Sequence, residues 1–394
     1  MSLKKQLHFE RAEFAARLSA VKQEMSKRGI DVLLVSEPAN QNYLTGYSAY
    51  SFYTPGMVIV GIDREQPIWV GRSMDSVSAS MTTYLAEDNI RAYPDYYVAS
   101  PKLSAYDFMA DIVKEVAGEK ANVGVEFGGF YYSARTHADL MRALPQAKIV
   151  DADLIINWLR IVKSPAEIEI MRQAGRIADA VMYRAIEVIE PGVRECDVAA
   201  AVYHQQISGT PEFGGAYACT PPFLCIGERQ IAPHADWTDD PLPASTTVNL
   251  ELFANRHRYQ VNLARTVSVG KPTREYQKLS EIVVEALNAG LEACRPGITA
   301  EEVSGAFCKK LAQHGIEKEA RVGYPIGVGF PPSLQDRTAS LRKGDTTILK
   351  PGMCFHMMSG LWLKDTGITI TQSFVVTETG YEPLTQIPRQ LYVK

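Results

Sequence analysis

Two stretches of the chain repeat one pattern of side chains. Residues 185–202 read AIEVIEPGVRECDVAAAV, and residues 290–307 read GLEACRPGITAEEVSGAF. In each stretch a helical pattern ends, a Pro-Gly pair turns the chain and a second helix begins. A duplicated helix–turn–helix of this kind predicts two related half-domains packed about a pseudo-twofold axis, with β-hairpins between and after the copies.

The region before the repeat has a different pattern. An amphipathic helix, ERAEFAARLSAVKQEMSKRG, is predicted to end at Gly29, and it is followed by the short apolar runs IDVLLVS, GMVIVGI, QPIWVG and ANVGVEF, which are typical of buried strands. Helical patterns occur at SAYDFMADIVKEVAG and SARTHADLMRALP. Ser164 and Pro165 then begin a long helix. We therefore predict an α/β N-terminal domain over 1–160 and an α+β domain with an internal pseudo-twofold repeat over 161–394.

The composition excludes several classes of protein. Of the 394 residues, 46% are hydrophobic and 22% are charged, and the net charge of −4 argues against a nucleic-acid partner or an anionic membrane surface. No apolar run has the length of a membrane span, and the start MSLKKQLHFERAEF lacks the apolar core of a signal peptide. The six cysteines form no CxxC pair. This pattern predicts reduced thiols in a cytoplasmic protein.

One predicted hairpin carries a carboxylate among apolar neighbours. In TVNLELFANRHRYQVNLART (247–266), Glu251 is flanked by Leu250 and Leu252. If residues 255–258 form the loop, Glu251 lies directly opposite Asn262 on one face of the ribbon. Further strands are predicted at DTTILK, GMCFHMM and GITITQSFVVTE.

Several of these motifs together resemble a known family. The linker RIVKSPAEIEIMRQA, the element LKPGMCF and the stretch GITITQSFVVTE are similar to those of the creatinase/aminopeptidase family, whose catalytic domain has the pita-bread fold. The family includes methionine aminopeptidases, proline dipeptidases and creatinase. The resemblance implies a homodimer in which the N-terminal domain of one subunit covers the active site of the other.

Most peptidases of that family bind two metal ions through two Asp, one His and two Glu. Carried over by motif, the first Asp falls on Glu251 and the second on Asn262. The His falls on Tyr324, and the two Glu fall on Met358 and Thr371. Because one carboxylate with an amide, a phenol, a thioether and a hydroxyl is not a site for divalent metals, we expect no metal, no other cofactor and no peptidase activity.

The resemblance then points to the branch of the family that works without metal. A His placed ahead of the hairpin transfers protons there, and His234 in IAPHADW has the matching position. The elements GYPIGVGFPPSLQDRTASLRKGD and GMCFHMMSGLW resemble enzymes that open a cyclic amidine, such as ectoine or hydroxyectoine. Such a reaction needs an anion against the amidinium, a nucleophile or base at its carbon, and a proton donor for the leaving nitrogen. Glu251 can be the anion and either the nucleophile or the base, Asn262 can hold it, and His234 can donate the proton.

Binding of a small zwitterionic substrate needs further side chains. Arg337, with Arg321 and Arg265 as alternatives, can bind a substrate carboxylate. Aromatic side chains can enclose the cation. The remaining residues expected to bind substrate are Tyr324, Met358 and Trp362 from the catalytic domain, and Phe52 and Tyr53 from the N-terminal domain of a second subunit.

Two other functions fit the same sequence. A creatinase-type amidinohydrolase would act on a guanidino acid, but Met358 replaces a carboxylate that creatinase retains. A non-catalytic pita-bread module would bind a peptide or protein, and loss of the metal ligands is compatible with it. The joint presence of Glu251, Asn262 and His234 favours an enzyme over such a module.

Overall fold

The computed structural model describes residues 4–394, which divide into an N-terminal unit ending at Arg160 and a C-terminal unit over Ile161–Lys394. The N-terminal unit contains six α-helices and six strands in its described part. The helices are α1 (Arg11–Lys27), α2 (Pro38–Thr45), α3 (Ser76–Thr82), α4 (Ala105–Ala117), α5 (Ala134–Ala143) and α6 (Ile155–Arg160). The strands are β1 (Val32–Val35), β2 (Met57–Gly61), β3 (Ile68–Arg72), β4 (Ile90–Tyr93), β5 (Asn122–Val125) and β6 (Lys148–Asp151).

The six strands form one mixed sheet in the order β4-β3-β2-β1-β5-β6. The predicted strands β1, β2, β3 and β5 occupy the centre, where β1 pairs antiparallel with β2 and parallel with β5. The two edge strands, β4 and β6, were not predicted from the sequence. Each edge strand carries charged residues, because one of its sides faces no neighbouring strand. The α/β assignment of this region is confirmed.

The C-terminal unit is built from four long helices and a large sheet. The helices are α7 (Pro165–Val188), α8 (Glu195–Ser208), α9 (Arg274–Ala293) and α10 (Ala300–Ala312). The strands are β7 (Phe223–Ile226), β8 (Thr246–Arg256), β9 (Tyr259–Val269), β10 (Gly323–Phe330), β11 (Ser333–Gln335), β12 (Cys354–Met357), β13 (Leu361–Trp362), β14 (Gly367–Ile368), β15 (Gln372–Val376), β16 (Tyr381–Pro383) and β17 (Tyr392–Val393). The main sheet has the order β16-β15-β12-β10-β9-β8-β7, with β11 on β10 and β17 on β9, and β13 pairs with β14 separately.

The internal repeat is present in the structure. Helix α7 ends at Val188 before α8 begins, and α9 ends at Ala293 before α10 begins. In each connection the glycine after the proline has a left-handed backbone, with φ of 86° at Gly192 and 89° at Gly297. A residue with a Cβ rarely adopts this conformation, so the same Pro-Gly turn makes both copies. The pseudo-twofold α+β prediction is therefore confirmed.

Two predicted strands differ from those observed. The stretch DTTILK (345–350) forms no strand, and only Ile348 makes an isolated bridge, to Thr299. The Asp345 side chain accepts hydrogen bonds from the backbone N–H groups of Ser340 and Thr347, which holds a turn in competition with a ladder. The stretch GITITQSFVVTE is divided into β14 and β15, and residues 369–371 between them adopt no strand.

The hairpin of β8 and β9 is shorter at its turn than predicted. His257 and Arg258 form the turn with φ of 51° and 72°, so Arg256 already pairs with Tyr259. The prediction that Glu251 lies directly opposite Asn262 is therefore wrong: Glu251 pairs with Ala264 and Asn262 pairs with Phe253. A turn with positive φ at both central residues normally contains Asn or Gly, so His257 and Arg258 did not indicate a two-residue turn. The two side chains remain diagonal neighbours on one face.

Two structural facts bear on the predictions from composition. All six cysteines are free thiols, and four of them are buried. Over residues 4–394, no helix combines the length and the apolar character needed to cross a bilayer. The cytoplasmic location stays a prediction.

Candidate active site

A cavity of about 540 Å³ opens in the C-terminal unit above strand β8. Five side chains predicted from the sequence line it: His234, Glu251, Tyr324, Met358 and Trp362. The other lining residues are Thr220, Phe223, Pro233, Phe253, Lys318, Ala320, Arg321, Pro332, Ser333, Leu334 and Gln335. Most of the wall is apolar or aromatic, as is typical of a small-molecule site with a few placed polar groups.

Glu251 is the buried acid of this cavity. Its side chain is nearly enclosed, with a relative exposure of 9% for the residue. The Asn262 amide donates a hydrogen bond to Glu251 Oε1 over 3.1 Å. Burial raises the pKa of Glu251 to about 7, although the hydrogen bonds from Asn262 and Tyr324 act in the opposite direction. Near neutral pH this carboxyl can therefore both accept and return a proton.

A hydrogen-bonded chain of buried side chains lies behind Glu251. His356 lies opposite Tyr324 across β10 and β12, and its Nδ1 is 2.7 Å from Asn262 Nδ2 and 3.0 Å from the Tyr324 hydroxyl. His356 Nε2 is 2.7 Å from Thr371 Oγ1, which also accepts a hydrogen bond from the Ala264 N–H. Burial lowers the pKa of His356 to about 3, so the ring is neutral. Because Asn262 Nδ2 can only donate, Nδ1 is the acceptor and Nε2 carries the hydrogen.

Aromatic rings enclose the space above Glu251. Phe223 pairs with Glu251 across β7 and β8, and its ring makes an edge contact with Phe253 at 5.7 Å between centroids. The exposed His234 ring is 5.2 Å from the Phe223 ring. Neither phenylalanine was predicted from the sequence. The alternation of β8 would have indicated Phe253, because it follows Glu251 by two residues and so shares its face.

The structure leaves some predicted site residues outside the cavity lining. Asn262 is fully buried and acts on Glu251 from behind rather than touching the cavity. Arg337 does not line the cavity. Arg265 is fully buried and donates hydrogen bonds to the carbonyl oxygens of Pro388, Ala264, Thr371 and Ile387, so it fastens backbone segments together. Of the three candidate arginines, only Arg321 lines the cavity.

The aromatic pair Phe52 and Tyr53 lies in the N-terminal unit. Tyr53 is largely exposed, and Phe52 is half-buried against Tyr50 with 4.6 Å between ring centroids. Their contact with a second subunit, and the homodimer itself, stay predictions.

The donor set does not fit two metal ions. Glu251 is the sole carboxylate that lines the cavity among the described residues. Asn262, His356 and Thr371 are engaged in hydrogen bonds with one another or with backbone. Nowhere in residues 4–394 do three or more His, Cys, Asp or Glu side chains converge as a metal site would require. The side chains of this cavity therefore do not form the ligand set of the two-metal peptidases.

Comparison with known proteins assigns the chain to a family. Residues 17–162 match the creatinase/prolidase N-terminal domain, and residues 169–378 match metallopeptidase family M24. The chain belongs to this family. It is a hydrolase acting on C–N bonds.

Individual relatives cover nearly the whole chain. The uncharacterized hydrolase/peptidase y4tM from Sinorhizobium fredii is 50% identical, with 98% of this chain and 99% of that protein covered. Ectoine hydrolase from Halomonas elongata is 41% identical, again with 98% and 99% covered. Among solved structures, a recombinant prolidase from Thermococcus sibiricus superimposes with a TM-score of 0.84 at 21% identity, covering 97% of this chain and 99% of that one. The last similarity shows the fold alone.

Proposed function

We propose that this protein hydrolyses a cyclic amidinium, ectoine or hydroxyectoine, without a metal ion. The observation that carries the proposal is the single buried carboxyl of Glu251 on the floor of an aromatic cavity that offers no metal ligand set. Identity of 41% with ectoine hydrolase over nearly the full chain supports the substrate class.

The charge on Glu251 matches the charge of such a substrate. An amidinium is a planar cation with N–H donors, and it forms charge-assisted hydrogen bonds with a carboxylate. Bringing the cation next to Glu251 favours the ionised carboxyl, which offsets the effect of burial on its pKa. The rings of Phe223, Phe253 and Tyr324 add contacts with the flat cation.

The reaction needs one water molecule and two proton transfers. Glu251 accepts a proton from water as the water oxygen bonds to the amidinium carbon. One C–N bond then breaks, and the leaving nitrogen takes up both protons of the water: one is returned by Glu251, and the other is lost by the new hydroxyl as it becomes the amide carbonyl. The products are therefore an amide and an ammonium, and the net charge is unchanged. His234 lines the same cavity near its exposed side and transfers protons between the leaving nitrogen and solvent.

Proton NMR of the purified protein with separate substrates tests the proposal. With ectoine or hydroxyectoine we expect the acetyl methyl signal to move to that of an open acetamide. No change is expected with creatine. Turnover of creatine alone would assign a guanidino acid as substrate, and no turnover of any of the three would contradict the proposed hydrolase and favour a non-catalytic module.

The raised pKa of Glu251 predicts that the stability difference between the unmodified protein and Glu251→Gln depends on pH. The pKa of Glu251 is about 7 in the folded protein, against about 4.3 for an unfolded glutamate. Between these values the folded state binds more protons, so this group makes the protein less stable as the pH rises. Glu251→Gln cannot ionise and should gain about 2–3 kcal/mol in unfolding free energy, relative to the unmodified protein, between pH 5 and pH 8. Urea unfolding of both proteins at the two pH values measures this, and an equal difference at both would contradict the raised pKa.

A further inference from the structure

Two cations line the cavity and have no counter-ion. Lys318 and Arg321 precede strand β10 and contribute to the wall together with Glu251. Among the described residues, neither side chain forms an ion pair with a carboxylate. Burial lowers the pKa of each one, and the neighbouring groups that act on them include no Asp or Glu. Half-buried cations that have no ion-paired carboxylate are unfavourable unless a ligand supplies an anion.

Both cations are held in place by neutral groups. Arg321 donates a hydrogen bond from Nη2 to the Gln335 side chain over 2.5 Å, and its guanidinium lies 4.7 Å from the centre of the Tyr324 ring. Lys318 Nζ donates to the Gly360 carbonyl over 2.5 Å and lies 5.1 Å from the Trp362 ring. Several N–H groups of each cation therefore remain available to an anion.

Tyr324 lies between the acid Glu251 and the cation Arg321. The Tyr324 hydroxyl is hydrogen-bonded to both Asn262 and Glu251, whereas Arg321 lies over the face of the same ring. A negative group and a positive group are thus separated by one aromatic side chain on the wall of one cavity. This spacing suits a small molecule that carries a cation and an anion a few bonds apart.

We infer that Arg321 and Lys318 form the binding site for the carboxylate of the substrate, with Gln335 orienting Arg321, and that this pair selects zwitterionic over simple amidines. The inference rests on the proposed function, since it concerns the second charge of the same substrate. The planar fork of Arg321 makes it the main ligand through a two-point hydrogen bond, and Lys318 adds a single charge. Arg321 and Lys318 thus take the place of Arg337, which the sequence predicted as the ligand of the substrate carboxylate.

Arg321→Met tests the inference in steady-state kinetics with two substrates. These are ectoine and the methyl-tetrahydropyrimidine that has the same amidinium ring but no carboxylate. With ectoine we expect KM to rise roughly ten- to a hundred-fold, with a much smaller change in kcat, because a charged hydrogen-bonded contact is lost. With the carboxylate-free ring the variant and the unmodified protein should differ by less than about three-fold. Equal losses on both substrates would overturn the inference.

Two further variants and a binding measurement complete the test. Arg274→Met removes the same charge from an exposed position at the start of helix α9, outside the cavity lining, and it should leave KM unchanged. Gln335→Leu keeps Arg321 but removes its acceptor, and it should raise KM for ectoine by a smaller factor than Arg321→Met. Calorimetric titration with the ring-opened acetamido amino acid needs no turnover, so it separates the two proposals. Loss of this binding in Arg321→Met without any turnover by the unmodified protein would reject the hydrolase but keep the carboxylate site, and unchanged binding would reject the site.

Discussion

Glu251→Gln is expected to lower kcat for ring opening by about 10³-fold or more. Glutamine has nearly the same shape and can still accept the hydrogen bond from Asn262, so the hairpin should fold as before. It can neither take a proton from water nor offer a negative charge to the amidinium. Stopped assays by NMR with saturating ectoine measure the effect.

A matched control uses an exposed acid of the same unit. Glu281→Gln on helix α9 makes the same chemical change, and the side chain at this position is exposed. It should retain activity within about two-fold. If Glu251→Gln were as active as this control, Glu251 would not be the acid–base group and the account of the cavity would be wrong.

Asp336→Ala is expected to cause the largest loss of stability, about 3–5 kcal/mol of unfolding free energy. Lys163 and Asp336 form an ion pair of 2.7 Å, with side-chain exposures of 1% and 0%. Lys163 also donates to the Ile161 carbonyl, so the pair joins the start of the C-terminal unit to the segment after β11. Removing the acid leaves a charged ammonium in the interior. Chemical denaturation monitored by circular dichroism measures the loss.

Two further variants test whether the loss of stability in Asp336→Ala comes from the unpaired buried charge of Lys163. The double variant Lys163→Met/Asp336→Ala removes both charges and should be more stable than Asp336→Ala alone, because no buried charge remains. Asp197→Ala breaks the exposed pair between Arg194 and Asp197, and it should change stability far less. A double variant that is less stable than the single one would contradict the interpretation of the pair.

The sequence predicted the parts of the fold that depend on repeating patterns. The central strands β1, β2, β3 and β5 are apolar runs, and the two Pro-Gly turns that end at Gly192 and Gly297 have a clear chemical signature. The edge strands β4 and β6 were not predicted, and β14 and β15 were predicted as one strand. In these segments the side chains show no clear alternation of apolar and polar residues, because exposure and local hydrogen bonds determine which residues occur there. A two-residue turn made of His257 and Arg258 has no sequence signal, and it changed the register of the hairpin by two residues.

The site also contains some residues that motifs predicted and others that only the structure identified. Glu251, His234 and Tyr324 follow from their places in family motifs, and all three line the cavity. His356 has no such place in a motif, and only the structure shows its part: its ring links Thr371 to Asn262 and so fixes the amide that holds Glu251. Arg321 was one of three candidate arginines in the sequence, which could not choose between them, and Lys318 had no sequence signal. The choice of Arg321 and the addition of Lys318 follow from their common cavity and their lack of an ion-paired carboxylate in the folded chain.

Metal removal tests the central claim most directly. The protein is stripped with a chelator, its residual metal is measured by mass spectrometry, and ectoine turnover is followed by NMR. Because the cavity offers one carboxylate and no cluster of metal-binding side chains in the described residues, we predict the same kcat before and after stripping, with no gain from added Zn²⁺, Mn²⁺ or Co²⁺. Loss of turnover on stripping, and its recovery when one of these ions is returned, would contradict the account.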